Sequence, residues 1–179
     1  MATERHVLNR PMHTARKTQP LHPPFTHFPI ALWTLAFAFD ILSIWVGNPM
    51  VRAAFYNIAA GTAFAVLAAA AGMLDYNKIP AGDPAKRTGV IHALLNGAAF
   101  VIFAISTWLH AGARAEETAP LINVVLTAVG LGAVVISGYL GHKMVFDYGA
   151  NVVRLADEHL ERAPDRARDI GRTPIRPQL

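Results

Sequence analysis

The sequence predicts an all-α fold, a four-helix transmembrane bundle with a short amphipathic helix near the C-terminus. Three observations predict it. Of the 179 residues, 53% are hydrophobic and only 16% are Asp, Glu, Lys or Arg, against about 25% charged in a soluble domain. The charges crowd into the two ends and a few connectors, leaving four apolar blocks long enough to cross a bilayer. Those connectors are short, which makes successive helices antiparallel neighbours.

Residues 1–20 form a polar, basic tail with Arg5, Arg10, Arg16 and Lys17. It lacks the apolar core of a secretory signal, so the first span is expected to be retained. A membrane domain follows over 21–148, with spans at about 25–46, 53–74, 89–109 and 121–145. Prolines 23, 24 and 29 open the first span, where a missing N–H costs little, and Gly47-Asn48-Pro49 ends it. The second is alanine-rich, with Ala68 four residues before Gly72 in the small-xxx-small pattern of closely packed membrane helices. Asp75, Asn77, Pro80, Gly82, Asp83 and Pro84 make the connector to the third. In 149–179, Val153, Ala156 and Leu160 recur at helical spacing among charges until Pro164, which reads as an interfacial helix followed by a basic tail. No internal repeat is evident.

The net charge of +4 sits beside apolar spans and reads as a topology signal rather than a nucleic-acid surface. If the spans alternate, one side carries all but two of the 16 Lys and Arg, the exceptions being Arg52 and Arg114. The positive-inside rule then puts both termini in the cytoplasm of a bacterial inner membrane. Without cysteine there is no disulfide, covalent c-type haem, cysteine-ligated iron–sulfur cluster or thiol nucleophile. With no phosphate loop, nucleophile or substrate domain either, no independent catalysis and no catalytic residue are expected.

Ionisable groups inside a membrane are costly and therefore functional candidates. His22 and His27 start span one, Asp75 closes span two, His92 lies one turn into span three and His142 ends span four. Alternating helix directions bring all five to the cytoplasmic end. Asn96 follows His92 by four residues and shares its face. Gly138, one turn before His142, would clear room for a flat macrocycle. Two facing histidines hold a b-type haem without cysteine; histidines with Asp75 suit non-haem iron or zinc; the same groups suit a proton relay, or simply bond to one another. His110 is five turns beyond His92, about 27 Å at 1.5 Å per residue, where boundary placement alone accounts for it. Asp40, deep in span one, is expected to bond Ser43, Asn57 or Thr62 as a structural polar clamp. Trp33 reads as an ordinary membrane aromatic, and Trp45 and Trp108 as part of an interfacial belt.

The stretch His22-Pro23-Pro24-Phe25-Thr26-His27-Phe28-Pro29-Ile30-Ala31 resembles the HPxxxHFPIA opening of the bacterial membrane family called domain of unknown function 2231. Phe39-Asp40, Ala71-Gly72-Met73-Leu74-Asp75, His92-Ala93-Leu94-Leu95-Asn96 and Gly138-Tyr139-Leu140-Gly141 running on to Tyr148-Gly149 continue the likeness in order, over about 21–152. The resemblance implies a four-helix membrane protein, joined in some members to Rieske-type or cytochrome modules, which leans toward electron transfer. It further implies that His27, Asp75 and His92 occupy family positions, while the position of His142 is often glycine. The expected function is a haem b- or metal-binding electron-transfer subunit of a larger membrane redox complex. His27 and His92 would be the axial pair, His22 and His142 substitutes, and Asp75 and Asn96 their supports. The alternatives are a cofactor-free structural or assembly subunit and a proton or metal-ion permease. The lipid bilayer and redox-complex subunits are the expected partners, self-association being left open.

Overall fold

A computed structural model describes residues 20–150; the basic N-terminal tail to residue 19 and the expected amphipathic C-terminal helix lie outside the described residues. Four helices fill the described part: α1 His22–Val46, α2 Asn48–Asn77, α3 Pro84–Gly112 and α4 Leu121–Phe146. At 25 to 30 residues each they are about 37–45 Å long, longer than the roughly 30 Å hydrocarbon core of a bilayer. All four are apolar enough to cross one.

The helices overrun the predicted spans because their ends are held. Asp83 caps α3, its carboxylate accepting the Ala85 N–H at 2.8 Å, with Pro84 in the first turn. α1 begins at His22 with Pro23 and Pro24 in its first turn, so Pro29 falls inside the helix rather than at its opening. α1 and α2 are joined by Gly47 alone, at φ +85°, a backbone conformation that glycine adopts without steric cost.

In lipid the apolar side chains have no reason to turn inward, and they do not. Ile44, Leu67, Leu94, Val135 and many like them are exposed on the outside. The interior is built of small residues, Ala36, Ala54, Ala68, Ala71 and Ala99 among them, which let the helices approach. α1 packs mainly on α2, and α3 on α4.

Those two hairpins are copies of one arrangement. The buried residues of α1 are Pro29, Trp33, Ala36, Asp40 and Ser43; shifted by 70 positions they become Ala99, Phe103, Ser106, His110 and Ala113, all buried. Ala54, Ile58, Gly61, Ala65 and Ala68 of α2 correspond, at a shift of 69, to Asn123, Thr127, Gly130, Val134 and Ser137, the buried residues of α4. The one-residue difference arises at the turns, where Gly47 alone in the first hairpin is matched by Ala113–Pro120 and shorter helix ends in the second. Equivalent residues also touch each other. Trp33 stacks on Phe103 with ring centroids 4.0 Å apart and planes 7° from parallel, and Asp40 bonds His110. A residue in contact with its own equivalent lies on an axis of exchange, so a pseudo-two-fold runs along the bundle between α1 and α3. The absence of an evident repeat in the sequence is corrected here: the repeat lies in which positions are buried.

Candidate functional site

The polar groups gather on that axis in two places separated by an apolar middle. At the end where α1 and α3 begin, the rings of His22 and His92 meet edge to face, centroids 6.0 Å apart and planes at 83°. They too are equivalents, 70 positions apart. His22 Nδ1 lies 2.7 Å from the Ala68 carbonyl of α2, and His92 Nδ1 lies 2.9 Å from the Ser137 carbonyl of α4. Ala68 and Ser137 are themselves equivalent, so the same bond is made twice. A carbonyl only accepts, so each ring carries a hydrogen on Nδ1, which leaves Nε2 as the ligand atom of the neutral ring. Glycines make room for the rings: a Cβ on Gly72 would stand 2.8 Å from the His22 ring, and one on Gly141 would stand 3.3 Å from His92.

The surroundings of the pair differ between the hairpins. Asp75, 5% exposed, accepts the Leu21 and His22 backbone N–H groups at 2.8 Å on one oxygen and the Lys78 ammonium at 2.8 Å on the other. It thus closes the N-terminus of α1, where a helix has unbonded N–H groups and favours an anion. Around His92, Asn96 Nδ2 lies 2.6 Å from Ser137 Oγ, 2.9 Å from the His92 carbonyl and 3.0 Å from Nε2, three acceptors for its two N–H groups. His92 Nε2 thus has an amide donor within hydrogen-bond distance, whereas among the described residues His22 Nε2 has none. Among the described residues, no three His, Asp or Glu side chains converge on one point.

The second polar layer lies toward Gly47. Asp40, His110, Ser43, Ser106 and Thr127 are all 0% exposed. His110 Nε2 is 2.9 Å from one Asp40 oxygen, and Thr127 donates to the other at 2.8 Å. His110 Nδ1 bonds the Ser106 carbonyl at 2.8 Å. Ser43 donates to the Asp40 carbonyl at 2.6 Å and accepts the Ala119 N–H at 2.9 Å, tying the α3–α4 connector to α1. Between the two layers stand Trp33, Phe103, Ala65, Ala99 and Val134.

Of the residues singled out from sequence, His22, Asp75, His92 and Asn96 come together. His27 does not join them: five residues beyond His22 it is turned about 140° around α1 and is exposed. His142 is exposed as well, its ring 4.4 Å from that of Phe146. Gly138 has open space around it; the glycine of α4 that stands against a histidine ring is Gly141. The polar clamp at Asp40 exists, with different partners. Asn57 and Thr62 bond the carbonyls of Ala53 and Ile58 on their own helix, Ser43 bonds the Asp40 carbonyl and not its carboxylate, and the carboxylate is held by His110 and Thr127. His110 is thus a core residue rather than a boundary one. A signal for this pairing is in the sequence: His22 to Asp40 and His92 to His110 are both eighteen residues, five turns, on helices that run the same way. Trp33 is also a core residue, whereas Trp45 and Trp108 are about three-quarters exposed near the Gly47 end of α1 and α3.

Fold and polar layers together define a multi-pass helical membrane protein with an internally duplicated bundle. Residues 18–154 match the family described as predicted membrane protein (DUF2231), and the chain belongs to it. No curated protein and no solved structure matches the chain.

Proposed function

We propose that the chain is a membrane electron-transfer subunit that takes a haem b between His22 and His92. The observation that carries this reading is the duplicated anchoring of the two rings, each by an Nδ1–H bond to a backbone carbonyl of the partner helix in its hairpin. A ring so anchored is oriented and keeps Nε2 as its ligand atom, the arrangement that supports metal-bound histidines generally. The two ring centres lie 6.0 Å apart, close enough that one bound group could engage both rings. A two-histidine set suits haem, which needs only axial ligands, better than zinc or non-haem iron, which need three or more from the protein. His92 would exchange the Asn96 N–H for the metal. When bound, haem would supply one-electron chemistry; the chain would hold and orient it, and Asp75 would fix His22 by closing the helix that carries it. Docking to other redox subunits, with both termini on the cytoplasmic face of an inner membrane, completes the reading.

A second reading has its own support. Because His92 Nε2 is already bonded to Asn96, the histidines serve equally as a cofactor-free interhelical clamp in a structural subunit. A permease is less well supported, since the stacked Trp33 and Phe103 fill the stretch between the polar layers.

The test is an absorption spectrum of the detergent-purified full chain, oxidised and dithionite-reduced, with metal analysis on the same sample. The haem reading expects a Soret band with sharp reduced α and β bands near one haem per chain, lost in His22→Ala and in His92→Ala. A colourless, metal-free protein whose variants are only less stable would establish the clamp instead.

A further inference from the structure

Arg52 and Arg114 are the only Lys or Arg residues at the Gly47 end of the described structure, and they come from different hairpins: one from the second turn of α2, the other from the connector after α3. They nevertheless line one shallow, open hollow of about 410 Å³, together with Tyr56, Ala111, Gly112 and Ala115. A second hollow of about 450 Å³, lined by Asn48, Pro49, Arg52, Ala53 and Tyr56, shares Arg52 and Tyr56 with it. Glu116 and Glu117 follow Arg114 closely in the chain, yet neither lines either hollow. Among the described residues neither arginine forms an ion pair.

Arg114 is also held in place. Its Nε donates to the Ala111 carbonyl at 2.8 Å and its guanidinium lies 4.9 Å from the Phe55 ring centre, which leaves its terminal nitrogens unspent. The exposed Trp45 and Trp108 belong to the same end of the bundle, as is usual at headgroup depth. Two unpaired guanidiniums and a phenol at that depth, beside apolar helix flanks, match a phosphodiester whose acyl chains continue down the bundle. We propose that this hollow binds the phosphate of an anionic phospholipid headgroup.

The probes are phosphatidylglycerol, phosphatidylcholine and inorganic phosphate, each offered to the full chain in mild detergent and read by native mass spectrometry. Phosphatidylglycerol should be retained in preference to phosphatidylcholine, since choline places a cation against the arginines. Arg52→Gln, an exposed position, should lower that retention about fivefold, and Arg52→Gln with Arg114→Gln more than tenfold, from the roughly 1 kcal/mol per basic residue at an anionic surface. Circular dichroism confirms that each variant is folded; should the double variant not fold, the single one decides. Equal retention of the two lipids, unchanged retention in Arg52→Gln, or displacement of phosphatidylglycerol by inorganic phosphate would each overturn the proposal.

Discussion

Asp40 and His110 stand 2.9 Å apart at equivalent positions of the two hairpins, with neither side chain exposed. Because His110 Nδ1 must donate to the Ser106 carbonyl, the link to Asp40 holds one proton, and the pair is neutral wherever in the link that proton sits. That neutrality is what lets an acid and a base lie inside an apolar bundle. Removing one member leaves the other without a partner. We expect His110→Ala and Asp40→Ala each to cost about 2–4 kcal/mol in unfolding from detergent, and the double variant to cost clearly less than their sum. Asp40→Asn keeps a donor for His110 Nε2 and an acceptor for Thr127, so it should be the mildest of the set.

The pseudo-two-fold makes a sharper demand. Exchanging the pair, Asp40→His with His110→Asp, moves the acid away from Thr127 and toward Ile58, the residue equivalent to Thr127 in the other hairpin. Adding Ile58→Thr and Thr127→Ile restores a hydroxyl to the carboxylate's new position. The fourfold variant should therefore recover most of the Tm lost in the twofold one. If the hairpins were not equivalent, the added changes would only lower Tm further.

Glycines packed against the central ring stack separate packing from backbone freedom. A Cβ on Gly61 would lie 2.8 Å from the Trp33 ring and one on Gly130 2.7 Å from the Phe103 ring, so either alanine must push the stack aside. Overpacking of this kind costs about 1–3 kcal/mol. Gly97 and Gly132 are helical too but have nothing within 4 Å, and their alanine variants should leave Tm unchanged or slightly raised. Thermal unfolding of the four single variants is the measurement.

The four spans were legible because hydropathy and connector chemistry are local, and the gathering of His22, Asp75 and His92 at one end followed from alternating helix direction. What faces what inside the bundle was not legible. His27 lies inside the predicted span and His22 just before it, yet the phase of α1 against α3 is what decides that His22 meets His92. The duplication was hidden for a related reason. Of the ten matched buried pairs only Gly61 and Gly130 are identical, and the rest keep burial while exchanging residue type, as Asp40 does with His110 and Ile58 with Thr127. His22 with His92 and Gly72 with Gly141 are further identical pairs, too few and too far apart to register without knowing where the axis lies.

The Asp75 carboxylate offers a test of how His22 is positioned. Its bonds to the Leu21 and His22 N–H groups replace a side-chain cap that α1 lacks. Asp75→Ala should fray the first turn, costing about 1 kcal/mol as lost caps do, and speed hydrogen exchange at both amides while leaving α3 protected. If those amides exchange no faster, the carboxylate is not what holds the turn.

The tautomers of His22 and His92 bear most directly on what the paired rings do. Both should show a protonated Nδ1 in ¹⁵N spectra, because each Nδ1 faces a carbonyl. Asn96→Ala removes the donor now bonded to His92 Nε2 without touching the Nδ1 anchor, so it should shift the His92 Nε2 resonance and leave the tautomer as it was. That variant also divides the two functional readings. If the rings are ligands, freeing Nε2 removes a competitor for the metal, and haem occupancy should hold or rise. If they are only a clamp, the same change costs about 1 kcal/mol of interhelical hydrogen bonding, within the range found for such bonds in membranes, and no haem is taken up.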